Sequence, residues 1–112
     1  MTDAQLLKFV TGFRRGIVGR GKSDYMCFAV CAPLVTLLNM HGVPSTLREG
    51  TIKFDIGSIN HFWIELADGR VVDPTADQFN RFFGRALPKV YLGAADAVLH
   101  AVVHEEQSGE AR

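Results

Sequence analysis

The chain has 112 residues, of which 47% are hydrophobic and 10% aromatic. This is the size of one domain, and the aromatic content excludes intrinsic disorder as its main state. Twelve basic and twelve acidic residues give zero net charge, which argues against a general nucleic-acid binder. No apolar run reaches the ~20 residues of a membrane-spanning helix, so we expect no membrane partner. Two cysteines are too few for a disulfide scaffold, which predicts a cytoplasmic protein.

Charge is unevenly distributed along the chain. Residues 1–22 carry five basic side chains against the single acid Asp3, whereas residues 54–77 carry five acidic side chains against Arg70. We expect these two segments to form faces that attract each other within the fold. A basic arm that docks on an acidic partner is the alternative.

The N-terminal segment predicts an amphipathic helix followed by a basic loop. Residues 3–14 place apolar side chains at helical spacing, behind Thr2 and Asp3 as a cap. Residues 16–23, Gly-Ile-Val-Gly-Arg-Gly-Lys-Ser, formally match a phosphate-binding loop. That loop needs a strand before it, and a helix is predicted there instead. The context therefore favours a flexible loop and disfavours a nucleotide or nucleic-acid partner.

The most apolar segment, residues 24–41, predicts a buried helix. Ser23 or Asp24 can cap its start, and Gly42 can end it. Pro33 has no backbone N–H and predicts a kink or an irregular first turn.

Beyond residue 44 the pattern becomes that of strands. The Asp68-Gly69 pair predicts a hairpin, and a turn centred between these two residues would place Asp73 opposite Ile64. Strands are predicted at 46–54, 60–67, 70–73 and 89–92, and helices at 76–83 and 94–105, with a frayed tail after about 105. The sequence thus predicts one α+β domain over residues 1–112.

A cysteine, a histidine and an aspartate have the chemistry needed for nucleophilic acyl transfer. Cys27 lies at the start of the predicted buried helix, where the helix dipole favours a thiolate. His61 can hold that thiolate as an ion pair and then protonate a leaving amine. Asp73, on the neighbouring strand, can orient the ring and stabilise its charged form. The Cys27 N–H would bind the oxyanion together with a second donor.

Three segments, in the same order, resemble landmarks of the transglutaminase-like cysteine peptidases of small bacterial or phage type. The segment from Cys27 to Gly42 resembles the nucleophile helix, His61-Phe-Trp-Ile-Glu the His-x-Trp-x-Glu strand, and Asp73-Pro-Thr the Asp-Pro-Thr segment. The resemblance implies a papain-like core in which N-terminal helices pack on a small antiparallel sheet. It also implies that Cys27 is the nucleophile, His61 the general base and acid, and Asp73 the orienting group, with no cofactor.

We therefore expect a cysteine-dependent amide hydrolase or acyltransferase that acts on a peptide or protein through a thioester. Peptidase, deamidase and transglutaminase activities are all open at this point. The alternative is a non-catalytic binding module or a subunit of a larger assembly. The sequence does not indicate an oligomeric state.

Three further residues are candidates for the site. Asn60 and Gln78 carry amides that could donate to an oxyanion, although a turn or surface position is the simpler interpretation. Trp63 is expected in the core, with a wall of the active site as the alternative.

Metal binding is the remaining possibility. A zinc site could combine Cys27, Cys31, His61 and Asp73, but structural zinc sites normally use more thiolates at short spacing, so no metal is expected. His100 and His104 form a His-x-x-x-His pair in which Ala101 stands where a metalloprotease carries glutamate. We therefore expect these two histidines on a solvated helix face.

Overall fold

A computed structural model describes residues 1–21, 23, 25–55 and 57–101. These residues form helices packed on an antiparallel sheet, so the predicted α+β class is confirmed. None of the helices among them is long and apolar enough to cross a bilayer. The elements are α1 (Asp3–Val18), α2 (Cys27–Met40), β1 (Ser45–Phe54), β2 (Gly57–Leu66), β3 (Val71–Asp73), a 3-10 turn (Ala76–Phe79), α3 (Asn80–Phe83) and β4 (Tyr91–Gly93).

Helix α1 begins at a capping box and extends further than predicted. The Thr2 hydroxyl accepts a hydrogen bond from the N–H of Gln5, whose side chain accepts one from the N–H of Thr2. The helix continues through Gly16 to Val18. The loop predicted from residue 16 is therefore wrong over residues 16–18, which are helical and do not form the start of a phosphate-binding loop. Lys22 lies outside the described residues.

Helix α2 begins without the predicted side-chain cap. Its N-terminal flanking residue is Met26, which makes no side-chain capping bond. The Ser23 hydroxyl instead donates to Asp77 at 2.9 Å, and Asp24 lies outside the described residues. Among the described residues no side chain caps the first N–H groups of α2, and the N–H of Phe28 faces the Cys27 sulfur instead.

The proline inside α2 does not interrupt it. Pro33 and Ala29, whose carbonyl loses its helical partner, both lie on the exposed side of the helix. Water can therefore satisfy that carbonyl. The helix ends at Met40, and the predicted terminator Gly42 lies two residues further on in the left-handed conformation, with φ +78°.

The sheet has the order β1-β2-β3-β4, and every neighbouring pair is antiparallel. Strands β2 and β3 pair with Ile64 opposite Val72, so the predicted register is wrong by one residue. The turn is a three-residue loop centred on Asp68, closed by the N–H of Leu66 donating to the carbonyl of Arg70 at 2.8 Å. Side chains alternate between faces, so this shift places Asp73 on the sheet face that carries His61.

Strand β2 is buried on both faces. One face packs Ile64 and Leu66 against α1 and α2 in the larger core cluster. The other face carries Trp63, which lies under the chain segment 94–101. Burying polar side chains between two covered sheet faces is costly unless they are hydrogen-bonded, so polar residues beside Trp63 need partners within the protein.

The helix predicted at 94–105 is wrong over its described part. Residues 94–101 form a loop with one turn, in which the N–H of His100 donates to the carbonyl of Asp96 at 2.9 Å. The loop then crosses the sheet so closely that a Cβ atom on Gly50 would overlap the carbonyl oxygen of Ala101. His104 and the predicted frayed tail lie outside the described residues.

The two charged segments meet inside the fold, as predicted. Arg14 on α1 forms a two-pronged ion pair with Asp77, with distances of 2.8 and 3.1 Å. Its guanidinium also donates to the carbonyls of Pro74 and Lys89. The buried Arg14 guanidinium thus links α1 to the segment that follows Asp73.

The Arg14 contacts predict a large stability effect. We expect Arg14→Met to lower the free energy of unfolding by about 3 kcal/mol, because Asp77 and two carbonyls lose their charged donor. Urea denaturation measures this change. The adjacent and exposed Arg15 is the matched control, and Arg15→Met should change stability by less than about 0.5 kcal/mol. Equal effects of the two substitutions would contradict the role of the buried cation.

Candidate active site

A histidine and an aspartate form a fully buried pair between β2 and β3. His61 Nε2 lies 2.6 Å from Asp73 Oδ2, and neither side chain has exposed surface. The observed register makes the two residues diagonal neighbours on the same face, within reach of each other. The second carboxylate oxygen, Asp73 Oδ1, accepts the N–H of Thr75 at 3.1 Å.

The pair holds opposite charges. Burial raises the pKa of Asp73, but the His61 charge and hydrogen bonds from His100 and His61 outweigh burial and lower it to about 2. Burial likewise lowers the pKa of His61, but the charge and hydrogen bond of Asp73, with a contribution from Cys27, raise it to about 9. At neutral pH the geometry therefore favours an imidazolium beside a carboxylate.

His61 also acts on Cys27, the first residue of α2. Burial raises the pKa of the Cys27 thiol, but hydrogen bonding to His61, the N–H groups of Phe62 and Phe28, and the charge of His61 together lower it. Nε2 of His61 is used by Asp73, and within the described part of the chain no group makes a hydrogen bond of standard geometry with the buried Nδ1. Nδ1 is therefore the ring nitrogen left for a bond to the Cys27 thiol. Cys27 itself is 7% exposed.

Cys31 lies one helical turn further along α2 and belongs to the core. It is fully buried, and burial raises the pKa of its thiol well above the usual range. Its sulfur lies 3.6 Å from the carbonyl oxygen of Phe62, to which it donates. Both cysteines are free thiols, and only Cys27 has a partner that favours the thiolate.

A second histidine contacts Asp73, contrary to the prediction of a solvated face. His100 is buried, and its Nε2 lies 2.8 Å from Asp73 Oδ2. Its Nδ1 accepts the N–H of Asp96 at 2.8 Å, so the ring proton is on Nε2, which donates to the carboxylate. The sequence pattern gave no indication of this contact, because the residues around His100 fit a helical period. The available signal was the position of His100 directly after the apolar Leu99.

The geometry of His100 also bears on metal binding. His61, Asp73 and His100 offer ligand atoms that lie within 4.8 Å of one another. A metal would need a lone pair on Nε2 of His100, but the N–H of Asp96 occupies Nδ1 and leaves the proton on Nε2. Metal-bound histidines normally donate their second N–H rather than accept one. The cluster therefore fits a hydrogen-bond network better than a metal centre.

Gln78 stabilises the loop before Cys27. Its side-chain oxygen accepts the N–H of Tyr25 at 3.0 Å, and its amide donates to the hydroxyl of Thr75 at 3.0 Å. Tyr25 has φ +61°, a conformation that non-glycine residues rarely adopt, and it lies two residues before Cys27. Gln78 thus stabilises a strained backbone that sets where Cys27 begins its helix.

The other two candidates take different positions. Trp63 is buried beside the site, with its ring 5.9 Å from that of His61 and 5.1 Å from that of His100. It is a wall of the buried cluster. Asn60 is exposed and, as the neighbour of His61 on β2, points to the opposite face of the strand. The structure therefore separates Asn60 from the other site candidates.

Comparison with known proteins does not assign the chain to a family. The chain matches no protein-family model, no curated protein and no solved structure.

Replacing His100 should destabilise the folded protein. We expect His100→Phe to lower the free energy of unfolding by about 1–3 kcal/mol, because Asp73 then keeps its buried charge with one donor fewer. Thermal and urea unfolding measure the change. His41 is exposed at the end of α2, so His41→Phe is the matched control and should have little effect. An unchanged stability in His100→Phe would show that Asp73 does not depend on the His100 donor.

Proposed function

We propose that this chain is a cysteine-dependent amide hydrolase or acyltransferase with Cys27 as nucleophile. The observation that carries the proposal is the buried His61–Asp73 pair, in which Nε2 and Oδ2 lie 2.6 Å apart. Burial raises the pKa of the Cys27 thiol, and hydrogen bonding to the same His61 is the largest influence that lowers it. A nucleophile, a general base and an orienting group that interact one after the other recur in enzymes that perform covalent acyl transfer. The substrate class is an amide within a peptide or protein.

The reaction would proceed in two steps. The Cys27 sulfur attacks the amide carbonyl carbon, the carbonyl electrons move to oxygen, and the C–N bond then breaks as His61 gives its proton to the leaving nitrogen. A thioester on Cys27 remains. In the second step His61 takes a proton from water or an amine, which attacks the thioester and releases Cys27. Asp73 stays ionised throughout and stabilises the imidazolium whenever it forms.

The transglutaminase-like, papain-like core is part of the same proposal. It is supported by a cysteine at the first residue of a buried helix, followed in order by a histidine strand and an aspartate strand of one antiparallel sheet. The three landmark segments noted in the sequence coincide with α2, β2 and the end of β3. A reducing, cytoplasmic location would suit two free thiols.

A non-catalytic binding module is the second candidate, and one observation favours it. Cys27 is only 7% exposed, which leaves little of its surface to an incoming amide. In that case the buried network would serve only to stabilise the fold. Reactivity of the thiol separates the two candidates.

The pKa of Cys27 is the first quantity to measure. We expect its alkylation by iodoacetamide to titrate well below the ~8.5 of a free thiol, because His61 stabilises the thiolate. Rates measured across pH, with the modified cysteine identified by peptide mass mapping, give the midpoint. Cys31 serves as an internal control and should remain unmodified in the folded protein.

Two outcomes are decisive for this measurement. In His61→Phe the midpoint should rise to the free-thiol value or above, since burial then acts on the thiol without a compensating partner. A Cys27 that is unreactive, or that titrates normally and ignores His61, would contradict the catalytic proposal and favour the binding module.

The same titration tests the orienting carboxylate. Removal of the Asp73 charge lowers the pKa of His61, which in turn raises that of Cys27. We expect Asp73→Asn to move the alkylation midpoint upwards by about one pH unit or more. Asp68, on the β2–β3 turn, is the control, and Asp68→Asn should leave the midpoint unchanged. An unshifted midpoint in Asp73→Asn would show that the carboxylate does not act on the thiol through His61.

A further inference from the structure

An aromatic groove of about 800 Å³ opens beside the candidate site. Its walls come from the tip of the β1–β2 hairpin, the 3-10 turn and α3. Phe54 stacks on Phe83 at 5.6 Å and packs against Phe82 at 5.3 Å. The volume lies within the range of pockets that bind small ligands and peptide side chains.

The groove shares two structural parts with the candidate site. Phe79 lines it and also meets the His61 ring edge-on at 4.8 Å. Tyr25 lines it two residues before Cys27, held by the side chain of Gln78. A ligand in the groove would therefore be separated from the His61 ring by the Phe79 side chain, and it would contact Tyr25 two residues before Cys27.

Two aromatic side chains of the groove are exposed to solvent rather than buried in the core. Tyr25 is 79% exposed and Phe82 52% exposed. Large aromatic side chains left open around a concave site are typical of surfaces that bind a partner. Lys53 and Asp55, of opposite charge, lie at the hairpin side. Arg81 also lines the groove, with its guanidinium carbon 4.7 Å from the centre of the Phe82 ring.

We propose that this groove is the specificity site for the substrate, and that it takes an aromatic or large aliphatic side chain of the peptide next to the reacting amide. The proposal rests on the proposed function for the identity of its ligand as a substrate. The groove supplies what the thiol and the imidazole lack, namely recognition of a side chain. An apolar pocket of this kind discriminates by the area that it buries, so alanine and glycine should bind weakly.

Peptide binding by the full chain with Cys27→Ala tests this proposal without turnover. The probes are acetylated hexapeptide amides of alanine and glycine in which a single phenylalanine occupies each position in turn. We expect at least one of them to bind at least about tenfold more tightly than the parent without phenylalanine. Amide chemical shifts in NMR titrations report both the affinity and the location, with changes expected at Gly57, Ser58 and Phe82.

Two further substitutions locate the effect. Phe82→Ala removes an exposed wall of the groove and should abolish the advantage of the phenylalanine peptide. Met40→Ala removes an equally apolar, exposed side chain at the far end of α2 and should preserve that advantage.

Three results would overturn the proposal. The first is that no phenylalanine peptide binds more tightly than its parent, and the second is that the tighter peptide shifts amides away from the groove. The third is that the groove amides shift with protein concentration alone, which would assign the groove to a second copy of the chain. The titration uses the Cys27→Ala variant, so its outcome does not depend on whether Cys27 is reactive. Failure of this proposal and failure of the proposed function are therefore distinguishable.

Discussion

The buried carboxylate of Asp73 is the constraint on which the rest of the site depends. Its two oxygens accept hydrogen bonds from His61, His100 and the N–H of Thr75, and no part of it reaches solvent. A charge in this position is tolerated only when every partner is in place. The strands, the 3-10 turn and the C-terminal loop are therefore fixed relative to one another by a single side chain. The same charge, transmitted through His61, favours the thiolate form of Cys27.

The contact between His61 and Asp73 depends on the register of β2 and β3. A turn centred one half-residue later would pair Asp73 with Ile64, whose side chain points towards the helices. The three-residue loop around Asp68 instead brings Asp73 to the face of His61. Short-range turn geometry thus decides whether a carboxylate far along the strand meets its imidazole.

Most of the fold was predictable from local patterns, and two of the misses share a cause. The apolar periods of α1 and α2, the alternation in β1 and β2 and the presence of a turn at Asp68-Gly69, though not its register, all act over a few residues. The pairing of His61 with Asp73 was predicted with the aid of the family resemblance and is confirmed. His100 was missed because its partner is 27 residues away. The left-handed Tyr25 was missed because its N–H is held by the distant Gln78.

The place of His100 in the chain has a consequence for biosynthesis. Helix α2 and strands β2 and β3 emerge from the ribosome before the loop that carries His100. Until that loop folds across the sheet, Asp73 lacks one donor, and the face with Trp63 is uncovered. The nascent chain therefore has the thiol but not the completed charge network around it. The order of synthesis thus delays the full set of hydrogen bonds on Asp73 until residue 100 has emerged.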